Sequence, residues 1–207
     1  MYAQKGQIYN FDGPSYFIFD PQESRTVVFG IRNVMQEISN SYIEIPILAY
    51  AKFGPIELQG GAYAGFLVAS TSTGTLTFKA NGNNAQPLEF DLDYRFISDE
   101  AGEFTGELGF VTFDNRRLPL PNTLGAYYEA SSGKENFYRT FDGGLVGAIS
   151  LYINQGLFLN VRAEYGLTDV TNETRDVSLS ALEGKEFIPS NDTDKNISFQ
   201  ASIGFKF

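Results

Sequence analysis

Strict alternation of side chains constrains this chain more than any other feature. From Asn196 to the terminal residue, one face carries Ile197, Phe199, Ala201, Ile203, Phe205 and Phe207. The other carries Asn196, Ser198, Gln200, Ser202, Gly204 and Lys206. Successive side chains of a strand point to opposite faces, so a period of two predicts a strand with one apolar and one polar side. The stretch is long enough to cross a bilayer as a tilted strand, which takes about 9–11 residues. An amphipathic strand of a soluble β-sandwich would show the same pattern, so the rest of the chain has to decide.

Four more segments alternate in the same way. Between Tyr42 and Phe53, Ile43, Ile45, Ile47, Ala49, Ala51 and Phe53 share a face. After the turn signal Gly54-Pro55, Ile56, Leu58, Gly60, Ala62, Ala64, Phe66 and Val68 continue it. A two-residue turn there sets Lys52 opposite Glu57, Tyr50 opposite Gln59 and Glu44 opposite Gly65, so polar positions meet polar positions. Lys52 and Glu57 are then expected to form a cross-strand ion pair, and Pro46 predicts a bulge nearby. Strands from Asp142 to Ile153 and from Leu157 to Thr168 flank Asn154-Gln155-Gly156. That turn sets Glu164 opposite Val146 and Arg162 opposite Ala148.

Between these segments the pattern weakens. Residues 8–40 carry turn signals at Asp12-Gly13-Pro14 and Asp20-Pro21 and read as a long loop with short strand pieces. Residues 71–140 read as a second long connection, with strand pieces at Leu76/Phe78 and Leu88 to Tyr94, and residues 73–135 as an insertion. A polar loop from Asp169 to Lys195 is the third. Short turns thus alternate with long connections. Transmembrane barrels sort their connections in this way, short on the periplasmic side and long on the extracellular side, whereas a sandwich has no reason to.

Composition narrows the chemistry. Phenylalanine (19), tyrosine (12) and glycine (21) favour strands and tight turns, and no apolar run is long enough for a transmembrane helix. The chain has no Cys and no His, which removes thiolate chemistry and every hydrolase that relies on histidine. A net charge of −10 argues against a nucleic-acid partner. Met1 to Gln4 show no basic and apolar leader pattern.

Three stretches carry a resemblance. They are YIEIPILAYAKFG with GGAYAGFLVAS, FDGGLVGAISLYI with LFLNVRAEYGLTDV, and NISFQASIGFKF. Together they resemble the PorT-like outer-membrane β-barrel family of Bacteroidetes, an eight-stranded antiparallel up-and-down fold with long extracellular loops. The terminal Phe205 and Phe207 look like the C-terminal assembly signal of such barrels. MYAQKG resembles the end of the family's third strand, from which we expect the first strands to lie upstream of Met1; the alternative is that residues 1–40 supply them. The resemblance implies a single barrel domain over 1–207, residence in the outer membrane, contact with its lipid and with the barrel-assembly machinery, and possible association with other outer-membrane subunits.

Candidate functional residues follow from the polar faces. Glu44, Lys52, Glu57, Arg162, Glu164 and Lys206 are expected inside the barrel as structural charges that pair with one another. Asp91 and Asp93, the group Asp99, Glu100, Glu103 and Glu107, and Asn191 to Asp194 offer hard oxygen ligands, but none completes a calcium loop, and a solvated acidic face is the simpler reading. The expectation is a non-enzymatic protein with no catalytic residue, no metal and no cofactor, acting structurally or through its extracellular loops or as a subunit of an envelope complex. The alternatives are an accessory part of type IX secretion or gliding machinery, which the resemblance suggests, and a soluble β-sandwich binding module.

Overall fold

The computed structural model describes residues 1–207 except 83–84, 114, 131–135, 173–178, 184–185, 190–192 and 207, with backbone alone over 179–183 and 186–189. The described residues form strands β1 (Tyr2–Phe19), β2 (Thr26–Phe53), β3 (Ile56–Ala80), β4 (Leu88–Arg95), β5 (Phe104–Phe113), β6 (Arg116–Leu124), β7 (Phe141–Tyr152), β8 (Leu157–Gly166), β9 (Leu179–Glu183), β10 (Glu186–Pro189) and β11 (Ile197–Phe205). One antiparallel meander runs β1-β2-β3-β7-β8-β11. A second branch, β4-β6-β5, leaves the far part of β3, and β9 pairs with β10 separately.

The five alternating segments become β2 below Tyr42, β3 below Ala69, β7, β8 and β11. Their register is the expected one: Lys52 faces Glu57, Tyr50 faces Gln59 and Glu44 faces Gly65. Glu164 faces Val146 and Arg162 faces Ala148. Gly54 turns the first hairpin at φ 60°, and Pro55 follows with its φ locked, a combination suited to a tight hairpin. The apolar faces point outward. Ile47 is 77% exposed and Phe199 79%, and Ile43, Ile45, Leu58, Phe66, Leu145, Ile149, Val161 and Ile203 are exposed with them. The opposite face is the buried one, with Tyr42, Tyr63, Glu44, Asp142 and Glu164 covered. A sandwich buries its apolar face, so this inversion sets the soluble β-sandwich alternative aside and leaves a belt that only lipid satisfies.

Three expectations from the weaker segments change. Residues 8–40 are not a loop. β1 and β2 pair without a break from Tyr2/Ile43 to Phe19/Thr26, and the turn sits at residues 20–25. Asp12-Gly13-Pro14 lies inside β1, where Pro14 faces Ile31; among the described residues β1 pairs with β2, and by the parity of the ladder the Pro14 nitrogen lies on the side away from β2, so none of their shared bonds is lost. Residues 73–135 hold the strand pieces expected of an insertion, the end of β3 with β4, β5 and β6, here paired into a branch of the sheet instead of lying loose in a loop. There is no bulge at Pro46, which pairs in register with Tyr63. Glu44 N–H donates to Met1 C=O on the β1 side, and Pro46 has the same parity. Its nitrogen therefore points to the β1 side and not to Tyr63, so the pairing with β3 keeps its register.

The bulge lies instead between Ser41 and Tyr42, where Ser41 faces Ala69 and Tyr42 faces Leu67. Val68 is the extra residue on β3. One extra residue moves every later side chain to the other face. Below it the even residues of β3, such as Leu58 and Phe66, face out; above it Leu76, Phe78 and Ala80 are buried and Thr71, Thr73 and Thr75 face out. At the same level β3 changes neighbour. It pairs with β7 from Ile56 to Phe66 and with β4 from Thr71 to Phe78.

Above the bulge the sheet encloses a core of its own. Phe17, Phe19, Val34, Leu76, Phe78, Phe90, Leu92, Leu118, Leu124 and Tyr128 pack together. Phe17 stacks on Phe90 with centroids 4.7 Å apart and meets Phe19 edge-on at 4.7 Å. Burying side chains of this size stabilises the platform by about 1.5–3 kcal/mol each. On its outer surface β3 turns from apolar residues to Thr71, Thr73 and Thr75, while Ile8, Ile31 and Met35 stay exposed on β1 and β2.

Candidate functional site

The lower strands hold a layer of charge. Lys5, on β1, reaches inward to place Nζ 2.7 Å from Glu44 Oε1, 3.0 Å from Asp142 Oδ2 and 3.8 Å from Glu164 Oε2. Its ammonium lies over the Tyr63 ring at 4.5 Å and near the Tyr42 ring at 5.2 Å. Arg162 pairs with Glu164, the residue two positions on along β8. Glu44 and Asp142 are fully buried, and Lys5, Arg162 and Glu164 nearly so.

Backbone register makes this layer. Glu44 faces Gly65 and Gly65 faces Asp142, so two carboxylates flank a glycine in one row across β2, β3 and β7. Hydrogen bonds then fix the acids. Asp142 accepts from the Tyr63 hydroxyl at 3.2 Å, from the Thr168 hydroxyl at 2.8 Å and from the Asn196 side-chain amide at 2.8 Å. Ser198 donates to Glu164 at 2.9 Å. Gly144 allows the Tyr63 ring to lie against β7, because a Cβ there would come within 2.7 Å of the ring. Two cations face three carboxylates, so the layer carries one excess negative charge. Buried charges persist only when paired and hydrogen-bonded, and each of these five has a partner.

The other expected interior charges sit nearer the short turns. Glu57 is buried and accepts hydrogen bonds from Gln59 at 2.8 Å and Tyr152 at 3.0 Å. Lys52 faces it in register but lies over the Tyr152 ring at 3.8 Å instead of closing the ion pair. Lys206 has an exposed side chain and donates its backbone N–H to Gly156. Phe205 is exposed opposite Leu157, and Phe207 lies outside the described residues. Sequence reasoning put Glu44, Arg162 and Glu164 on the inner face and missed Lys5 and Asp142, which the structure joins to them. Asp142 sits on the polar face of its strand, which was the available signal; Lys5 lies in MYAQKG, which reads as the end of a strand but is too short to show which face the lysine takes.

A second layer caps the first. Ile38, Tyr42, Leu67, Phe96 and Tyr138 cluster above the charges, with Phe137 and Tyr94 against them. Tyr127 stacks on Phe137 at 5.0 Å and donates to Phe96 C=O at 2.8 Å. In the platform, Glu129 accepts from Ile18 N–H at 3.0 Å and pairs with Arg32, which is almost buried. Burial raises the Tyr94 and Tyr128 phenols, the latter to about 12.

The acidic candidates have local duties. Asp99 is buried and accepts from Arg95 N–H and Ala126 N–H, both at 2.9 Å, tying the end of β4 to the segment after β6. Glu103 accepts from Glu100 N–H at 2.8 Å, and Asp93 pairs with Arg95 at 3.6 Å at the surface. Asp91, Glu100 and Glu107 are exposed. Asp194 accepts from Thr171 at 3.0 Å, while Asn191 and Asp192 lie outside the described residues. Among the described residues, no three acidic side chains are placed to share a metal ion.

An apolar outer belt, a polar buried face and short turns at one end define a barrel protein of the bacterial outer membrane. The comparison with known families agrees: a model described as the outer membrane protein beta-barrel domain matches residues 1–172, and the chain belongs to that family. No curated protein and no solved structure matches it.

Proposed function

We propose that this chain is a non-enzymatic outer-membrane barrel, of the PorT-like type found in Bacteroidetes, that acts by holding its platform above the outer leaflet for a partner. The observation that carries the proposal is the continuation of β1, β2 and β3 past the bulge into a sheet with a separate aromatic core. Thr26–Tyr42 alone spans about 55 Å along the strand at about 3.3 Å per residue. A loop that served only to connect strands has no use for such a core. The charged and aromatic layers beneath stack across the lumen and favour a plug over a pore. The platform's partner would be another envelope subunit; a role beside secretion or gliding machinery is the narrower form of the same reading.

The chain has no cysteine, so single cysteines report cleanly. Thr75→Cys should react with a membrane-impermeant maleimide on intact cells, and Asn154→Cys only after the outer membrane is permeabilised. A photo-crosslinker at position 75 should then give one discrete envelope adduct. Protection of position 75 on intact cells, or no adduct at any platform position, would defeat the proposal.

A further inference from the structure

Above the bulge, β1, β2, β3 and β4 share one outer face, and their register orders it. Ile8 faces Glu37, Glu37 faces Thr73 and Thr73 faces Asp93 in one row. The next row is Asn10, Met35, Thr75 and Asp91, and the one beyond it Asp12, Asn33, Thr77 and Glu89. Pro14, Ile31 and Lys79 follow. Three stripes therefore run side by side. β1 and β2 carry an apolar one, with Ile8 74% exposed, Met35 60% and Ile31 52%. β3 carries threonines, and β4 carries Glu89, Asp91 and Asp93. Asp93 pairs with Arg95, while the exposed Asp12, Glu37, Glu89 and Asp91 form no ion pair among the described residues. The apolar stripe is not part of the lipid belt. Met35 lies about 26 Å along β2 from the lipid-facing Ile43, at about 3.3 Å per residue. Immersing it would carry Glu37, Asp91 and Asp93 into hydrocarbon, where exposed charge is costly. An exposed apolar patch with a polar rim, held in water, marks an interaction surface.

We infer that this outer face is the platform's docking surface and that it takes a protein whose contact face sets lysine or arginine beside an apolar ridge. Charge complementarity selects that partner. Asp12, Glu37, Glu89, Asp91 and Asp93 stand against Lys79 and Arg95 alone, so a basic surface is drawn to the face and a like-charged one is held off. A second copy brings the same acids and a chain charge of −10, and an anionic lipid headgroup is repelled for the same reason. The stripes also set an orientation. β2 and β4 are two strand spacings apart, about 10 Å. The partner's apolar ridge then lies along Ile8, Met35 and Ile31, while its cations reach Glu89, Asp91 and Asp93 across the threonine row. The inference rests on the platform standing above the membrane for a partner, and it names that partner's chemistry.

The test uses the whole chain in intact cells, with the photo-crosslinker p-benzoylphenylalanine in place of Thr75, at the centre of the face. The adduct is sequenced by mass spectrometry, and its linked peptide should carry lysine or arginine. Glu37→Lys combined with Asp91→Lys should cut the adduct roughly ten-fold or more, because steering becomes repulsion. High salt should weaken the wild-type adduct, and Met35→Ser should reduce it through the apolar stripe. All three substituted side chains are exposed, so each variant should keep the heat-modifiable band of the folded barrel. Equal yield from the charge-reversed barrel, an adduct to a second, differently tagged copy, an adduct to lipid, or a linked peptide without a basic residue overturns the inference. If position 75 captures nothing while the crosslinker in place of Phe110 on β5 captures a protein, this face falls and the platform is spared. No adduct at any platform position removes both.

Discussion

Lys5 Nζ lies 2.7 Å from Glu44 Oε1, although the backbone of Lys5 faces Asn40, four positions away along β2. The side chain travels down the lumen to the level where carboxylates from β2, β7 and β8 converge. Replacing Lys5 with Met strands those acids beside Arg162 alone. Removing one partner of a buried pair costs about 3–5 kcal/mol, so the Lys5→Met barrel should lose its heat-resistant, fast-migrating band at a markedly lower temperature. Adding Glu44→Met should restore part of the loss. An unchanged melting temperature for the single variant would show that the layer contributes little.

The outward apolar belt makes a separate prediction. Ile47 sits near the middle of the lower part of β2 and is the most exposed isoleucine there. Arginine at a lipid-facing position near the bilayer midplane costs about 2–4 kcal/mol. Ile47→Arg should therefore reduce folding into vesicles by that amount, measured by urea titration. A tolerated arginine would place this face in water.

Glu129 joins two strands of the platform. Its replacement by Ala leaves the nearly buried Arg32 without its carboxylate and Ile18 N–H without its acceptor. A loss of about 2–4 kcal/mol is expected, confined to the platform. Limited proteolysis of Glu129→Ala in membranes should cut above the bulge while the lower strands keep their heat-modifiable mobility. Cleavage no faster than wild type would argue against the latch.

The platform should also have an alkaline limit. Burial holds the Tyr128 phenol neutral to about pH 12, above the ordinary value near 10. A group raised in the folded state contributes its full stability below the unfolded value and loses it as pH climbs through the folded one. Stability should therefore fall between about pH 10 and 12, together with a delayed phenolate absorbance. Tyr128→Phe should flatten part of that fall; an identical pH profile would assign the limit to other groups.

The bulge can be tested directly. Deleting Val68 would turn either Leu76 and Phe78 toward water or Leu58 and Phe66 toward the lumen, because one residue reverses every side chain beyond it. The deletion should abolish assembly, whereas Val68→Ala, which keeps the count, should be mild. Assembly of the deletion variant at wild-type yield would mean that the register adjusts elsewhere.

The membrane strands were legible because lipid demands an unbroken apolar face, and Ile43 to Phe53 or Ile197 to Phe205 can satisfy it only by strict alternation. The platform was not legible for the same reason reversed. There the apolar residues turn inward, and β2 mixes Arg32 and Gln36 with Val34 and Ile38 on its inner face, leaving Ile31 and Met35 outside. No period survives that mixture, so residues 8–40 read as a long loop with short strand pieces. The charged layer was half legible. Glu44, Arg162 and Glu164 sat on clear polar faces, but the cation that joins them comes from Lys5, in a strand end too short to show an alternation.

The extra residue at Val68 also settles how deep the molecule rides. Below it, β3 shows Leu58 and Phe66 to the outside; above it, the same strand shows Thr71, Thr73 and Thr75. A slide of the protein toward the periplasm would drag Thr71 and Thr73 into the acyl chains, and a slide outward would lift Phe66 and Ile43 into water. On the proposed placement of the platform, the single insertion acts as a waterline drawn into the backbone of β3.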